Sequence, residues 1–282
     1  VPTPPPHNLP LQLSSFVGRE RETAEVKALL NEARLVTLTG AGGSGKTRLA
    51  IEVALQLCAD EASSHPYAAI WFIGIAPLTD PALVPQEIAT TLGLRAPASE
   101  SLTTTLTRYL RDQTVLLVFD NCEQIVEACA QLADALLRAC PHAQILATSR
   151  EALNIEGEMT YPVPPLSLPS PQLTTALLHA IGPETIIQQS AAVRLFVARA
   201  TAAQPNFVLT TQQLPNAVQI CRRLDGMPLA IELAAARVPS LGLERIAAHL
   251  NDALALLTTG KRTAPLRHQT LRATLDWSHR LL

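Results

Sequence analysis

The sequence predicts an α/β fold: a parallel sheet of about five strands wrapped by helices, followed by an all-helical domain. Three observations carry this. Short β-rich runs alternate with helical stripes from Arg21 to Val163. Those runs lack polar alternation, as strands covered on both faces do. After Pro164-Pro165 the strand signal stops and only helical spacing remains.

Val26, Leu29, Leu30 and Ala33 give Arg21–Ala33 a helical period. Leu35–Thr39 is a β-rich run ending in glycines, and Leu49–Cys58 continues as a helix. Ala68–Ala76 is a near-continuous apolar strand, and Leu83, Val84, Ile88 and Leu92 mark the next helix. Val115–Phe119 is a third strand. Ile125, Cys129, Leu132, Ala133, Leu136 and Leu137 form a clear amphipathic stripe. Gln144–Thr148 and Met159–Val163 complete the strands. In the second half Val193, Phe196, Val197 and Ala200 make one stripe, and Val218, Cys221 and Leu224 part of another that stops at Asp225-Gly226. Leu229–Val238 restarts as a helix, with Pro228 in a first turn that tolerates its missing N–H.

The 282 residues leave room for about two domains. At 48% hydrophobic and 16% charged, the chain can bury a sizeable core. A net charge of −2 argues against a broad nucleic-acid-binding face, and 4% aromatics argue against a stacking platform. No apolar run reaches the roughly 18 residues of a membrane span, and no secretory signal opens the chain. Five cysteines without a CxxC pair read as thiols of a reducing cytoplasm, the expected location. Val1–Pro10 is proline-rich and reads as a linker or a frayed terminus. Leu266–Leu282 keeps helical spacing to the last residue, so the sequence reads as a fragment of a longer protein. The expected organisation is a linker over 1–15, a nucleotide-binding domain over 16–165, a helical domain over 166–262, and a further domain beginning at 263–282.

The strongest chemical signal is Gly40-Ala41-Gly42-Gly43-Ser44-Gly45-Lys46-Thr47, a phosphate-binding P-loop set between a strand and a helix. Its glycines let backbone N–H groups curl around phosphate oxygens, and the helix start points its positive end at them. Lys46 reaches the β and γ phosphates, and the Thr47 hydroxyl can hold Mg²⁺. The expected nucleotide contacts are Gly40, Gly42, Gly43, Ser44, Gly45, Lys46, Thr47 and Arg48. Asp120, at the end of a buried strand, either holds the metal with Thr47 or caps the next helix; beside a P-loop the metal role is preferred. Hydrolysis needs a group that positions water. Asn121 cannot act as a base, and Glu123 is either that group or an ordinary first-turn glutamate. If the fourth strand neighbours the P-loop strand, Arg150 lies beside the γ-phosphate and senses it; otherwise it is a surface arginine. The candidate catalytic set is Lys46, Asp120, Glu123 and Arg150.

Taken together these motifs resemble the STAND signal-transduction NTPases, near the AP-ATPase/NB-ARC branch and bacterial LuxR-type and SARP-type regulators. Phe16-Val17-Gly18-Arg19-Glu20 resembles the hhGRE motif, which implies that Val17 and Arg19 border the adenine. Leu116–Asp120 resembles the Walker B core, and Thr148-Ser149-Arg150 the sensor-1 segment. Gly226-Met227-Pro228-Leu229 resembles the GxP motif, which implies that Pro228 and Leu229 contact the nucleotide; Asp-Gly-Met-Pro is also simply a helix stop and start. Leu271–Leu282 resembles the first helix of a winged-helix domain. The resemblance implies an ATP/ADP- and Mg²⁺-binding regulatory switch with slow or no hydrolysis, sensor and effector domains elsewhere, and self-association in the ATP state. It departs from the family at Asn121, where many relatives carry a second acid. Two other functions stay open: a turnover ATPase acting as an oligomeric motor, and a nucleic-acid-binding module using Arg262, Arg267, His268 and Arg272.

Overall fold

The computed structural model describes residues 5–59, 67–95, 97 and 100–250. The chain forms two compact units. Among the described residues, those up to Ser15, 21–40 and 46–163 make the first; 16–20, 41–45 and those from Pro164 to Leu250 make the second. The expected domain start at 263–282 lies outside the described residues, as do the four basic residues of the nucleic-acid reading.

The first unit is a five-stranded parallel sheet between helices. Its elements run α1 Glu20–Glu32, β1 Leu35–Thr39, α2 Lys46–Ala59, β2 Ala69–Gly74, α3 Val84–Thr91, α4 Leu102–Leu110, β3 Val115–Asp120, α5 Val126–Ala139, β4 Ala143–Thr148 and β5 Glu158–Pro162. The strand order is β2-β3-β4-β1-β5 and every pairing is parallel. All six residues of β3 are buried, as are the first four of β1. This is why those runs carry no polar alternation. β5 is partly exposed along its length, as an edge strand is.

α2 packs on β1, β3 and β4, α3 on β2, and α5 on β4. Ile73, Phe119, Ile145, Leu106, Leu132 and Leu136 belong to one buried apolar cluster of this unit. At roughly 1.5–3 kcal/mol for each large side chain removed from water, such a cluster is the main favourable term holding the sheet in place.

Part of the proline-rich stretch lies on the β2 edge. Ile70 N–H donates to Pro6 O at 3.1 Å. The Asn8 side chain donates to Phe72 O at 2.9 Å and accepts from Phe72 N–H at 2.6 Å. Leu9 is buried. An edge strand presents unpaired backbone groups, and residues 6–9 satisfy some of them.

The second unit is helical: among its described residues no strand occurs. It contains α6 Thr175–Ile181, α7 Pro183–Gln189, α8 Ala191–Ala203, α9 Leu214–Arg223, α10 Pro228–Ala235 and α11 Val238–His249, the last broken at Gly242. Phe196, Leu214, Val218, Ile220, Ile231 and Ile246 lie in its core. α9 stops where expected: Asp225 and Gly226 both take positive φ, and α10 then opens on Pro228. No helix among the described residues is long and apolar enough to cross a membrane. All five cysteines are free.

Candidate functional site

In the first unit the C-terminal ends of β1, β3 and β4 bring the chemistry together, where open α/β sheets place ligands. Lys46, the first residue of α2, is buried, and its Nζ donates to Gly40 O at 2.7 Å. Burial lowers its pKa; Glu123 and Asp120 oppose that shift, and Arg150 adds to it. The Thr47 hydroxyl donates to Asp120 Oδ1 at 2.6 Å.

The strand order puts β4 beside both β1 and β3, with Leu38 in register with Thr148. That adjacency is the condition under which Arg150 was expected near the phosphates. It also seats Thr148 against Asp120. The buried Thr148 hydroxyl donates to Asp120 Oδ1 at 2.7 Å and accepts from Asn121 N–H at 3.0 Å. Asn121 Nδ2 donates to Asp120 Oδ2 at 2.6 Å. The cap position of the turn that follows belongs to Asn121, so Asp120 does not serve as the cap.

Asn121 sits in the left-handed region, φ 65° and ψ 50°, which asparagine tolerates better than most residues. The chain then makes a single 3₁₀ turn over Cys122–Gln124. Its middle residue is not a solvated first-turn glutamate. Glu123 leaves only 3% of its side chain exposed, and Oε1 stands 3.9 Å from Arg150 Nε. Oε2 is buried without a hydrogen-bond partner among the described residues. Burial raises the Glu123 pKa, while its own backbone N–H, Lys46 and Arg150 pull it down.

The second unit holds the rest of the loop. Gly43 and Gly45 take φ of +83° and +93°, a conformation L side chains rarely adopt. Gly42 lies in the turn that Ser44 N–H closes on Ala41 O at 3.2 Å. Leu229 N–H donates to Gly43 O at 3.3 Å, and a Cβ on Gly45 would meet Pro228 Cγ at 3.8 Å. Val17 packs on the helical core. Arg19 is buried, and its Nη2 donates to Ser44 O at 3.1 Å and Pro164 O at 2.6 Å. So within this unit Val17, Arg19, the loop, Pro228 and Leu229 share one neighbourhood. Arg48 differs: its guanidinium turns to Ser14, with Nη1 on the hydroxyl at 3.0 Å and Nη2 on the carbonyl at 2.8 Å.

Thr148 stands in the segment resembling sensor-1 but is not among the expected site residues. Only its place between the P-loop strand and the Asp120 strand gives its hydroxyl this role, and that place is a matter of strand order. The oxygens of Thr47 and Asp120 are hard donors from two side chains, which suits Mg²⁺, an ion that keeps most of its shell for water and phosphate. In the first unit the buried lysine amine suits a phosphate oxygen; in the second, so do the left-handed glycines and the buried Ser44 Oγ, which has no hydrogen-bond partner among the described residues.

Residues 15–148 match the family model of the AAA ATPase domain. The matched stretch carries the Gly40–Thr47 loop and Asp120. The chain is 41% identical over 276 residues to an uncharacterized protein of Mycobacterium tuberculosis, covering 98% of this chain and 64% of that one. It is 42% identical over 257 residues to a second M. tuberculosis protein, provisionally named an HTH-type transcriptional regulator, covering 91% of this chain and 26% of that one. The chain thus spans under two thirds of the relatives it matches. Among solved structures, a STAND protein with a tetratricopeptide repeat sensor from Pyrococcus horikoshii aligns over 97% of this chain and 34% of its own, at 12% identity and a TM-score of 0.48. The Aeropyrum pernix ORC2 protein aligns over 89% of this chain and 69% of its own, at 12% identity and a TM-score of 0.44.

Proposed function

We propose that this chain is the ATP/ADP-binding switch module of a STAND-type regulator acting in transcription, with hydrolysis slow or absent. One observation carries the reading. The P-loop threonine is tied to the strand-end carboxylate Asp120, while the residue beside that carboxylate is Asn121 rather than a second acid. The first half of that arrangement suits a bound Mg-nucleotide. The second disfavours fast turnover.

Mg²⁺, when bound, would neutralise charge on the phosphates and would be held by Thr47 and Asp120. Lys46 would leave Gly40 O for phosphate oxygens. Arg150 would take a γ-phosphate oxygen that ADP lacks, giving the two nucleotides different affinities for the two states of the chain. Only such a difference can shift a population. The AAA match supports adenine nucleotide as ligand. The name of one relative supports transcription as the output, and the STAND motifs at Phe16–Glu20 and Gly226–Leu229 support a switch over a motor.

Calorimetric titration with ATP·Mg²⁺, ADP and GTP, run beside a turnover assay, tests the reading. Tight ATP and ADP binding with turnover below about one per minute is expected, against the 1–10³ s⁻¹ of ordinary enzymes. Sustained turnover faster than that, rising with protein concentration, would support the motor instead. Salt-sensitive DNA binding by this chain would favour the nucleic-acid module.

A further inference from the structure

Within the second unit one buried guanidinium is given to main-chain carbonyls, and burying a charge calls for a reason. Arg19 is 3% exposed, and a single nitrogen, Nη2, donates both to Ser44 O at 3.1 Å and to Pro164 O at 2.6 Å. The resemblance implies a place beside the adenine for this residue; the two bonds give its guanidinium a place on the phosphate loop. The segment that carries Arg19 is held in position. Gly18 takes φ +75°, and a Cβ there would lie 2.3 Å from Ala191 Cβ, so residues 16–20 pack directly on the start of α8. Glu20 pairs with Arg194 of α8 at 3.3 Å. The chain after Pro164 is held as well. Leu166 N–H donates to Gly226 O at 2.9 Å, and Ser167 O accepts from Ala192 N–H at 3.1 Å and from the Ser190 hydroxyl at 2.9 Å. Arg19 thus reaches the loop from a fixed platform.

We propose that Arg19 is a positioning residue for phosphate, acting through the Ser44–Gly45 peptide and not through the base. This rests on the nucleotide-site reading above. A trans peptide is planar, and its C=O and N–H point opposite ways. Holding Ser44 O on Nη2 therefore turns the Gly45 N–H away from Arg19. In a phosphate-binding loop that N–H is one of the donors that converge on phosphate oxygens. The peptide before it has both ends occupied: Gly43 O accepts Leu229 N–H at 3.3 Å, and Ser44 N–H donates to Ala41 O at 3.2 Å. Gly45 N–H is thus the donor that Arg19 presets. Gly45, at φ +93°, has no side chain to stop this peptide from turning, so the brace supplies the order. A donor aimed in advance lowers the ordering cost that a ligand must meet. Lysine keeps the charge but ends one bond short of Nη2 and lacks the planar fork.

The test uses the whole chain as wild type, Arg19→Lys and Arg19→Gln. Affinities for ATP, GTP and inorganic tripolyphosphate are measured by calorimetry with Mg²⁺ present. Ser44-Gly45 is the only Ser-Gly pair in the sequence, so labelling serine carbonyl carbon and glycine nitrogen isolates one NMR signal, the Gly45 N–H. In wild type that amide proton should move downfield when any of the three ligands binds. Arg19→Lys should bind all three about tenfold more weakly, the worth of one charge-assisted hydrogen bond, with the ATP-to-GTP ratio unchanged. Its Gly45 signal should stay nearly still at saturation. Arg19→Gln should behave in the same way. A merely structural role would lower the melting temperature, leave affinity and the Gly45 shift as in wild type, and so overturn the inference. A loss confined to ATP and GTP, with tripolyphosphate unaffected, would return Arg19 to the base and overturn it too. If neither variant folds, wild type decides: a Gly45 amide unmoved by bound ligand overturns the inference while leaving the switch standing. Failure of wild type to bind ATP at all would instead remove the site reading beneath it.

Discussion

The Thr47 hydroxyl donates a 2.6 Å hydrogen bond to Oδ1 of Asp120, 73 residues further along the chain. It joins the start of α2 to the end of β3, and Thr148 adds the end of β4 to the same oxygen. One carboxylate thereby ties three elements of the sheet unit together. The partners of Oδ1 are hydroxyls, which can turn toward a metal's shell without breaking the backbone, while Oδ2 accepts from Asn121 Nδ2.

Replacing Asp120 with Asn keeps the size and removes the charge. In wild type, removing Mg²⁺ with a chelator should weaken ATP binding by about tenfold or more, the expected contribution of a metal clamped between carboxylate and phosphates. In Asp120→Asn the chelator should make little difference. Calorimetric titrations with and without Mg²⁺ measure it, and an unchanged Mg²⁺ effect would remove Asp120 from the metal's shell.

Arg150→Ala should weaken ATP more than ADP. The Arg150 side chain is only 12% exposed and its Nε lies 3.9 Å from Glu123 Oε1; on the proposed reading its charge serves a γ-phosphate. A charge-assisted hydrogen bond of roughly 1.5–3 kcal/mol corresponds to about a 10- to 100-fold loss for ATP alone. Equal losses for both nucleotides would leave Arg150 a structural partner of Glu123.

The raised pKa of Glu123 gives a sign for the pH dependence of nucleotide-free stability. The folded state holds this proton more tightly than the unfolded state, whose carboxylate titrates near 4.5. The folded state therefore binds more protons across the interval above 4.5, and stability falls as pH rises through it. Below the interval the contribution is fully present; above the folded pKa it is lost. Glu123→Gln removes this term. The stability of the variant relative to wild type should rise across that window and level off above it, as read by denaturant melts from pH 4 to 8. A difference flat with pH would mean Glu123 titrates as it does in the unfolded chain.

Gly226 joins the end of α9 to Pro228 with φ +67°, and its carbonyl accepts Leu166 N–H at 2.9 Å. A Cβ there would collide with the Leu166 carbonyl oxygen. Gly226→Ala should destabilise the helical unit by more than about 1 kcal/mol, from left-handed strain plus this clash. Loss of less than that in a denaturant melt would show that the segment around Leu166 can yield.

Much of this architecture can be read in the sequence because burial on both faces erases polar alternation. The five runs named from apolar content match β1 to β5 within about two residues at most ends. α4 escaped notice because Thr103, Thr104 and Thr105 are poor helix formers. Its stripe of Leu102, Leu106 and Leu110 and the Ser101 cap, which accepts Thr104 N–H at 3.1 Å, are nonetheless helical signals. The seating of Pro6 and Asn8 on β2 depends on which strand lies at the edge, and composition does not encode that. The same limit applies to the site. Lys46, Thr47 and Asp120 stand out by motif as candidates, since phosphate and metal chemistry restricts the residue types that could serve it. Thr148 and the left-handed Asn121 acquire their roles only once β4 lies between β1 and β3.

Lys46→Ala beside wild type tests the central claim most directly. Both proteins are incubated with ATP and Mg²⁺, freed of unbound nucleotide by gel filtration, denatured, and the released nucleotide identified by chromatography and counted against protein. The account predicts about one adenine nucleotide per wild-type chain and roughly a tenth of that or less for the variant, whose P-loop lacks its phosphate-binding amine. Equal nucleotide on the two proteins, or none on either, would contradict it.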